Sequence, residues 1–528
     1  MAIVKWCRSG GWISACILGM ASTGTLTYAA SCIAPASSSP PLDPALRRTV
    51  VVTDAAVLND PAVDFSLGRT LGNIIKTTPG MIDSQAERIA LLTSLIRSFH
   101  ATSHLNPDSQ VTFPVPLRQA ETALDPIALL DKASSDGMHV VGLFNRYDLA
   151  PSDFSTCGEH RIVYAKKSAG PTNRFLLIFE AALDNPKPDL GAEGCRPIAQ
   201  FWDSLKTKTG NELATALSKF YYDGLSPGIK PVVHFSHYGL PFGQVRGNLF
   251  IQQPWQLREW RISLSGDGSP VFTAVTVKSN PFPPLYSGPT SGEDPKITAL
   301  RLQFQTEFVG SRLPELVSVD QGGIIGNPEP AIDLFFQLGA TFPNRFNGFE
   351  STSQGPPPPG GPDENPATIA PPDLKNKITQ RLTQIGVGSA CELTQEHILN
   401  RAGALSCGGC HHFTIGKPIA NDVNWPPSNG FVHIDENGNL SQALEQFFLP
   451  ARQRNLTRHL QAAPTPPAAT SAAPAPVQAV RDIAASIPGA ASRLSAVTSL
   501  TELEKQVQSL RAADQVTPGA FVPFRRTH

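Results

Sequence analysis

Between residues 138 and 280 the chain breaks into short apolar runs closed by Gly, Pro, Asn or Asp, and this punctuation constrains the fold most. The runs are "HVVGLF", "RIVYA", "FLLIFEA", "KPVVHF", "NLFIQ" and "FTAVTV". They are too short for buried helices, rich in β-branched and aromatic residues, and bounded by turn formers, so they predict strands. In "WRISL" the residues Trp260, Ile262 and Leu264 share one face, as a period of two requires. One helix-like insertion interrupts the block, from "RPIAQFWDSL" to "NELATALSKFYY". The expected class is α+β, with a mainly β domain over residues 137–345 carrying helical additions.

The flanks differ in kind. Residues 44–136 predict a helical N-terminal segment, in which "SQAERIALLTSLIRSF" opens with a capping box, Ser84 and Glu87. Ile89, Leu92, Ile96 and Phe99 follow at helical spacing and predict one buried face. Residues 346–373 contain "QGPPPPGGPDENPATIAPPD", too rich in Pro and Gly to pack regularly, and predict a linker. The unit at 374–461 has a size that suits a small all-α cofactor domain. An Ala/Pro-rich stretch at 462–478 predicts a second linker. The tail at 479–528 predicts a helix capped by Thr501 and Glu504, with Leu503, Val507 and Leu510 as its apolar stripe.

A net charge of −1 with 16% charged residues gives no reason to expect nucleic acid or an anionic membrane face as partner. The N-terminus carries Lys5 and Arg8, then an uncharged stretch from Trp12 to Tyr28, then the small residues of "TYAASC". This order predicts a secretory signal over residues 1–30. "AASC" also resembles a bacterial lipoprotein cleavage site with Cys32 as the lipidated residue, although Ala29 stands where Leu is usual; cleavage after Ala29 or Ala30 is the alternative. Either way the chain is expected outside the cytoplasm, in the periplasm or at the outer membrane of a Gram-negative bacterium. A lipid at Cys32 or an uncleaved signal would be its only membrane contact.

Of the eight cysteines, Cys7 and Cys16 would leave with the signal. Cys157 in "STCGEHRIVYA" and Cys195 in "EGCRPIAQFW" lie in one compositional block, and an oxidising compartment favours their pairing. Cys391 has no assigned role.

The segment "SCGGCHH", residues 406–412, carries the chemistry. Cys407, Cys410 and His411 form C-x-x-C-H, whose two thiols can add to haem vinyl groups while the adjacent His reaches the iron from the same side. From the chain's Cys and His counts the chance expectation of this pattern is roughly 0.003 per chain. The preceding "ELTQEHILNRAGAL" sets Ile398, Leu399, Ala402 and Leu405 at helical intervals. Helix and motif together resemble the N-terminal helix and haem-binding loop of a monohaem c-type cytochrome domain. That resemblance implies one haem c, with Cys407 and Cys410 as thioether attachments and His411 as proximal iron ligand.

Such domains usually supply a downstream Met as sixth ligand, and here no methionine follows the motif. His433 or His459 is the candidate within the domain, and Met138 or His139 qualifies only if the β domain docks closely. A bis-His site would sit at lower potential than Met/His, whereas an open sixth position would bind small ligands or peroxide. Two other assignments compete with haem. One is a structural zinc on Cys391, Cys407, Cys410 and one of His397, His411 or His412; the other is a plain Cys407–Cys410 disulfide.

Elsewhere, Arg146, Asp148, Asp153, Glu159, His160 and Arg161 cluster in sequence; a substrate site is one reading, and buried Arg–carboxylate pairing that fixes loops is the favoured one. His234 and His237 of "HFSH" would face opposite ways on a strand, and Trp260 of "PWQLREW" is expected in the β core. The block from "FNRYDLAPSDFSTCGEHRIVYA" to "GQVRGNLFIQQPWQLREW" resembles a group of exported bacterial proteins, which supports one integrated architecture and supplies no catalytic residue. The expected function is electron transfer with a redox partner protein or a small-molecule donor or acceptor. A haem-dependent oxidoreductase or peroxidase with an open iron site is the second expectation, and a non-redox envelope or binding protein is the third.

Overall fold

Five of the six apolar runs are strands of one antiparallel sheet in the computed structural model, which describes residues 39–462 apart from 152, 168–172, 227, 240–241, 318–341, 353–362 and 388–391. The signal segment, Cys32, Cys391 and the predicted tail helix lie outside the described residues. The strands are β1 (Val51–Val52), β2 (Met138–Arg146), β3 (Thr156–Lys166), β4 (Arg174–Asp184), β5 (Gln244–Phe250), β6 (Gln256–Leu264), β7 (Pro270–Val275) and β8 (Ser351–Thr352). Strands β1 to β7 follow one another in space as in sequence. The outer edge of β6 is shared, because β7 pairs with Glu259–Leu264 while β8 pairs with Gln256 and Leu257.

The sixth run, "KPVVHF", is not a strand. Its Val232 and Val233 amides bond the carbonyls of Phe220 and Tyr221, so it caps the preceding helix and turns at Phe235–His237. Packing against a helix end satisfies its backbone more locally than a ladder would.

Alternation along the strands gives the sheet two buried faces. On the first, Leu143, Ile162, Tyr164, Phe175 and Phe179 pack against helices α1 (Leu67–Thr77), α2 (Gln85–Arg97), α3 (Ala192–Ser204) and α4 (Gly210–Tyr222). Ser84 caps α2 by accepting the Glu87 amide, and Leu92, Ile96 and Phe99 are buried, while Ile89 is half-buried. Cys157 on β3 and Cys195 on α3 are disulfide-bonded, with Cα atoms 5.3 Å apart.

On the second face, Val141, Phe144, Val163 and Leu176 share one apolar cluster with α5 (Pro295–Glu307), α6 (Pro372–Gln384) and α7 (Gln395–Leu405). The segment 374–461 therefore lies directly on the sheet. Helix α8 (Leu449–Gln461) joins the two cores, with Leu449 in the second and Leu456 in the first. Among the described residues no helix is long and apolar enough to cross a membrane.

Candidate functional site

Helix α7 delivers the C-x-x-C-H segment. Thr394 and His397 close a reciprocal capping box at its start, and Ile398, Leu399, Ala402 and Leu405 are all buried. The Arg401 guanidinium fixes the helix by donating to the carbonyls of Ile419 (2.6 Å) and Leu316 (2.7 Å). The helix stops at Ser406, whose extended ψ of 153° redirects the chain, and a wide π-helical turn over Gly409–Phe413 follows. The Gly408 amide donates to Ser351 Oγ on β8 (2.8 Å), and the Gly409 amide to Ser406 Oγ (3.1 Å). A Cβ on Gly408 would meet the Thr352 carbonyl, and one on Gly409 would meet the Gly403 carbonyl. The two glycines between the cysteines are needed because the loop is pressed onto backbone.

Cys407 and Cys410 are free, buried thiols on the wall of one cavity. Burial pushes the Cys407 thiol up to about 11 and raises Cys410 as well, so both are protonated at neutral pH. His411 Nδ1 donates to the Phe431 carbonyl (2.8 Å), which fixes the tautomer and leaves Nε2 as the lone-pair nitrogen. Burial lowers the His411 imidazole to about 4, keeping it neutral, and Trp255 stacks on it at 5.2 Å. His433 has a partner at each ring nitrogen. Its Nδ1 is hydrogen-bonded to Ser441 Oγ (2.8 Å), its Nε2 lies 3.2 Å from Cys410 Sγ, and its ring centre is 4.5 Å from that of His411.

A cavity of about 110 Å³ lies between the second face of the sheet and the C-terminal segment. Val163, Leu176, Ile178, Leu257, Leu444 and Phe448 make much of its wall apolar. Its sheet side also carries a buried lattice of ion pairs. Arg161 pairs with Glu159 (2.7 Å) and Glu180 (3.1 Å), and Arg246 with Glu180 (3.2 Å) and Glu259 (3.1 Å). Burial opposes the Arg246 charge, and Glu180 and Glu259 outweigh it and hold the group cationic. Arg146, also on the wall, pairs with Asp148 at 2.8 Å. Arg452 differs. It lines the cavity with its guanidinium over the Phe448 ring and no carboxylate at ion-pair distance among the described residues.

The chemistry of these side chains suits a haem c. A haem is an apolar macrocycle with a carboxylate edge, and the cavity offers two free thiols, two imidazoles with orienting partners, apolar walls and an uncommitted guanidinium. The sequence signalled Cys407, Cys410, His411 and His433. It gave no sign of Arg246, Arg452, Trp255 or Ser441 as neighbours of the motif.

The other candidates lie elsewhere. His459 Nε2 bonds the Tyr147 hydroxyl (2.9 Å) and its ring stacks near Phe154, so it is not on the cavity wall. Met138 is buried in the first-face core, and His139 Nε2 contacts the Glu436 carbonyl (2.8 Å). His412 is exposed. His160 points into the first core, where Trp202 donates to it. The rings of His234 and His237 lie 5.2 Å apart on their turn rather than on opposite strand faces. Trp260 is buried in the first core, where its indole N–H donates to Ser98 Oγ (2.8 Å). Among the described residues no group of three or more His, Cys, Asp and Glu side chains converges as a metal site, and His397 is committed to the α7 cap.

Comparison with protein-family models, curated proteins and solved structures returned no match.

Proposed function

We propose that the chain is an exported c-type haem protein that transfers electrons through one covalently attached haem. In this assignment Cys407 and Cys410 carry the thioethers and His411 is the proximal ligand; His433, with its ring centre 4.5 Å from that of His411 and its Nε2 against Cys410 Sγ, would have to move away from both to serve as the sixth. The observation that carries it is the convergence of two free thiols and two Nδ1-anchored imidazoles on one cavity. When bound, the haem supplies one reversible electron. The chain's own residues do the rest.

The Phe431 carbonyl holds His411 so that it presents Nε2, while Ser441 anchors His433 at Nδ1 and Cys410 Sγ lies against its Nε2. Trp255 covers one side of His411, and Leu176, Leu257 and Phe448 line the cavity with apolar surface. Arg452 is the cation available to a haem carboxylate. The Glu159–Arg161–Glu180–Arg246–Glu259 lattice sets fixed charge along the wall, and a low-dielectric surround makes that charge count. Two imidazole ligands place the potential below that of a Met/His site. Electrons enter and leave through a redox partner protein or a small donor or acceptor.

The test is expression in a host that matures c-type haem, followed by ferric and ferrous absorption spectra. A low-spin ferric spectrum supports two imidazole ligands. A five-coordinate spectrum would move the assignment to a haem-dependent oxidoreductase, and a colourless chain to a non-redox protein.

A further inference from the structure

A turn downstream of the C-x-x-C-H loop carries an aromatic residue where the backbone favours glycine. The turn at 429–432 is closed by the Asn429 amide on the Val432 carbonyl (2.7 Å), and both of its central residues are left-handed, Gly430 at φ +57° and Phe431 at φ +70°. Gly and Asn adopt such angles readily, whereas a bulky side chain is an outlier there and persists only where its surroundings hold it. Those surroundings are aromatic. The Phe431 ring lies 5.3 Å from Phe250, 6.4 Å from Trp255 and 4.7 Å from His412, centre to centre. It packs on the small apolar cluster that also holds Cys407. From β4, Arg174 donates to the carbonyls of Asn429 (3.4 Å) and Gly430, and Ser428 Oγ donates to the His411 carbonyl (2.6 Å).

The backbone of the same residue makes the contact that bears on chemistry. The Phe431 carbonyl can only accept, so its 2.8 Å bond fixes the His411 proton on Nδ1. Neutral imidazole in water favours the opposite form, with the proton on Nε2, and that form has no lone pair to offer there. Trp255 stacks on the His411 ring at 5.2 Å and 28°, and on the Phe431 ring at 6.4 Å and 22°. One indole therefore braces both ends of the hydrogen bond.

We propose that Phe431 is the positioning residue for His411: its ring, clamped by Phe250, Trp255 and His412, holds the left-handed turn in which its carbonyl grips Nδ1, and so keeps Nε2 free to bind the haem iron. This rests on the haem assignment above. The role is separable from ordinary packing. Glycine at this position would keep the carbonyl and relax the backbone, so an aromatic that served packing alone could be removed with the hydrogen bond intact. In the proposed role the ring is what pins the carbonyl, and its removal frees the turn and the tautomer together. The bond also makes the imidazole a stronger donor to iron, which favours the ferric state.

The experiment compares full-length wild type, Phe431→Gly and Phe431→Tyr. Nitrogen NMR of the haem-free, histidine-labelled chains reads the His411 tautomer, its signal identified by loss in His411→Gln. The matured chains, with covalent haem confirmed after unfolding, give the midpoint potential, and urea unfolding of the haem-free chains gives the stability. The wild type is expected to hold its proton on Nδ1. Phe431→Gly is expected to admit the Nε2–H form and to raise the potential, by about 59 mV for each tenfold lost in the preference for ferric iron. Phe431→Tyr, which keeps the ring, is expected to match the wild type in both. A tautomer and potential unchanged in Phe431→Gly overturn the role while leaving the haem assignment standing, even if stability falls. A wild-type proton on Nε2 overturns it as well. Absence of covalent haem in the wild type overturns the haem assignment, and the role toward iron with it. If Phe431→Gly fails to fold, Phe250→Leu takes its place, because it removes one wall of the clamp without touching the turn. It is expected to move tautomer and potential the same way to a smaller extent, and movement in neither overturns the proposal.

Discussion

Gly408→Ala tests how tightly the C-x-x-C-H loop is pressed onto β8. Gly408 has ordinary helical angles, φ −62° and ψ −39°, so backbone preference alone favours Ala by about 1 kcal/mol. Space opposes it. The new methyl would sit 2.8 Å from the Thr352 carbonyl carbon, closer still to its oxygen, and 3.0 Å from Phe413 Cε1. Overpacking of this kind costs about 1–3 kcal/mol, and losing the Gly408 amide bond to Ser351 adds about 1 kcal/mol. The net expectation is a destabilisation of about 1–3 kcal/mol, nearer the upper value because a paired strand carbonyl yields little. The assay is urea unfolding of the haem-free protein, read as a lower midpoint at unchanged slope. Gly310→Ala is the control, because nothing lies within 4 Å of its added methyl, and it should be neutral or slightly stabilising. Gly408→Ala as stable as wild type would refute the contact on which the loop's position depends.

Other outcomes follow from the same geometry. Cys157→Ser should lower stability by roughly 3–4 kcal/mol, the closure term for a 38-residue separation, and non-reducing thermal melts of the full chain check it. His433→Ala should keep covalent haem but lose the low-spin ferric spectrum, whereas His459→Ala should leave that spectrum unchanged, since His459 is bonded to Tyr147 away from the cavity. Glu350 is displaced from its ordinary 4.5 to about 8, so the folded state binds more protons than the unfolded one between these values. Stability should therefore fall as pH rises through that window and level off above it, and Glu350→Gln should flatten the profile in chemical unfolding across pH.

How much of this was legible in the sequence depends on where the partners of each residue lie. Strands β2 to β7 were visible because each is bounded by its own turn formers. The run "KPVVHF" misled because its amides are satisfied by the end of α4, a partner that periodicity does not reveal. Helix α7 and its motif were visible because cap, apolar spacing and thiols are contiguous. The sequence left His433 and His459 as equals, and they separate only through distant partners, Ser441 for one and Tyr147 for the other. Arg161, Glu180, Arg246 and Glu259 alternate with apolar residues, as on a strand face open to solvent. Glu180, Arg246 and Glu259 are buried, and Arg161 is half-buried, because residues far along the chain cover that face. Glu350 is likewise unremarkable in sequence, at the edge of a Pro/Gly-rich stretch, and its raised pKa comes from burial and from the Glu364 charge.

The most direct test of the central claim is a pyridine haemochrome assay on the unfolded chain, made in a host that matures a control c-type cytochrome. The account predicts a covalent haem signal at one haem per chain that is lost when Cys407 and Cys410 are both changed to Ser. A colourless chain beside a correctly matured control would contradict it.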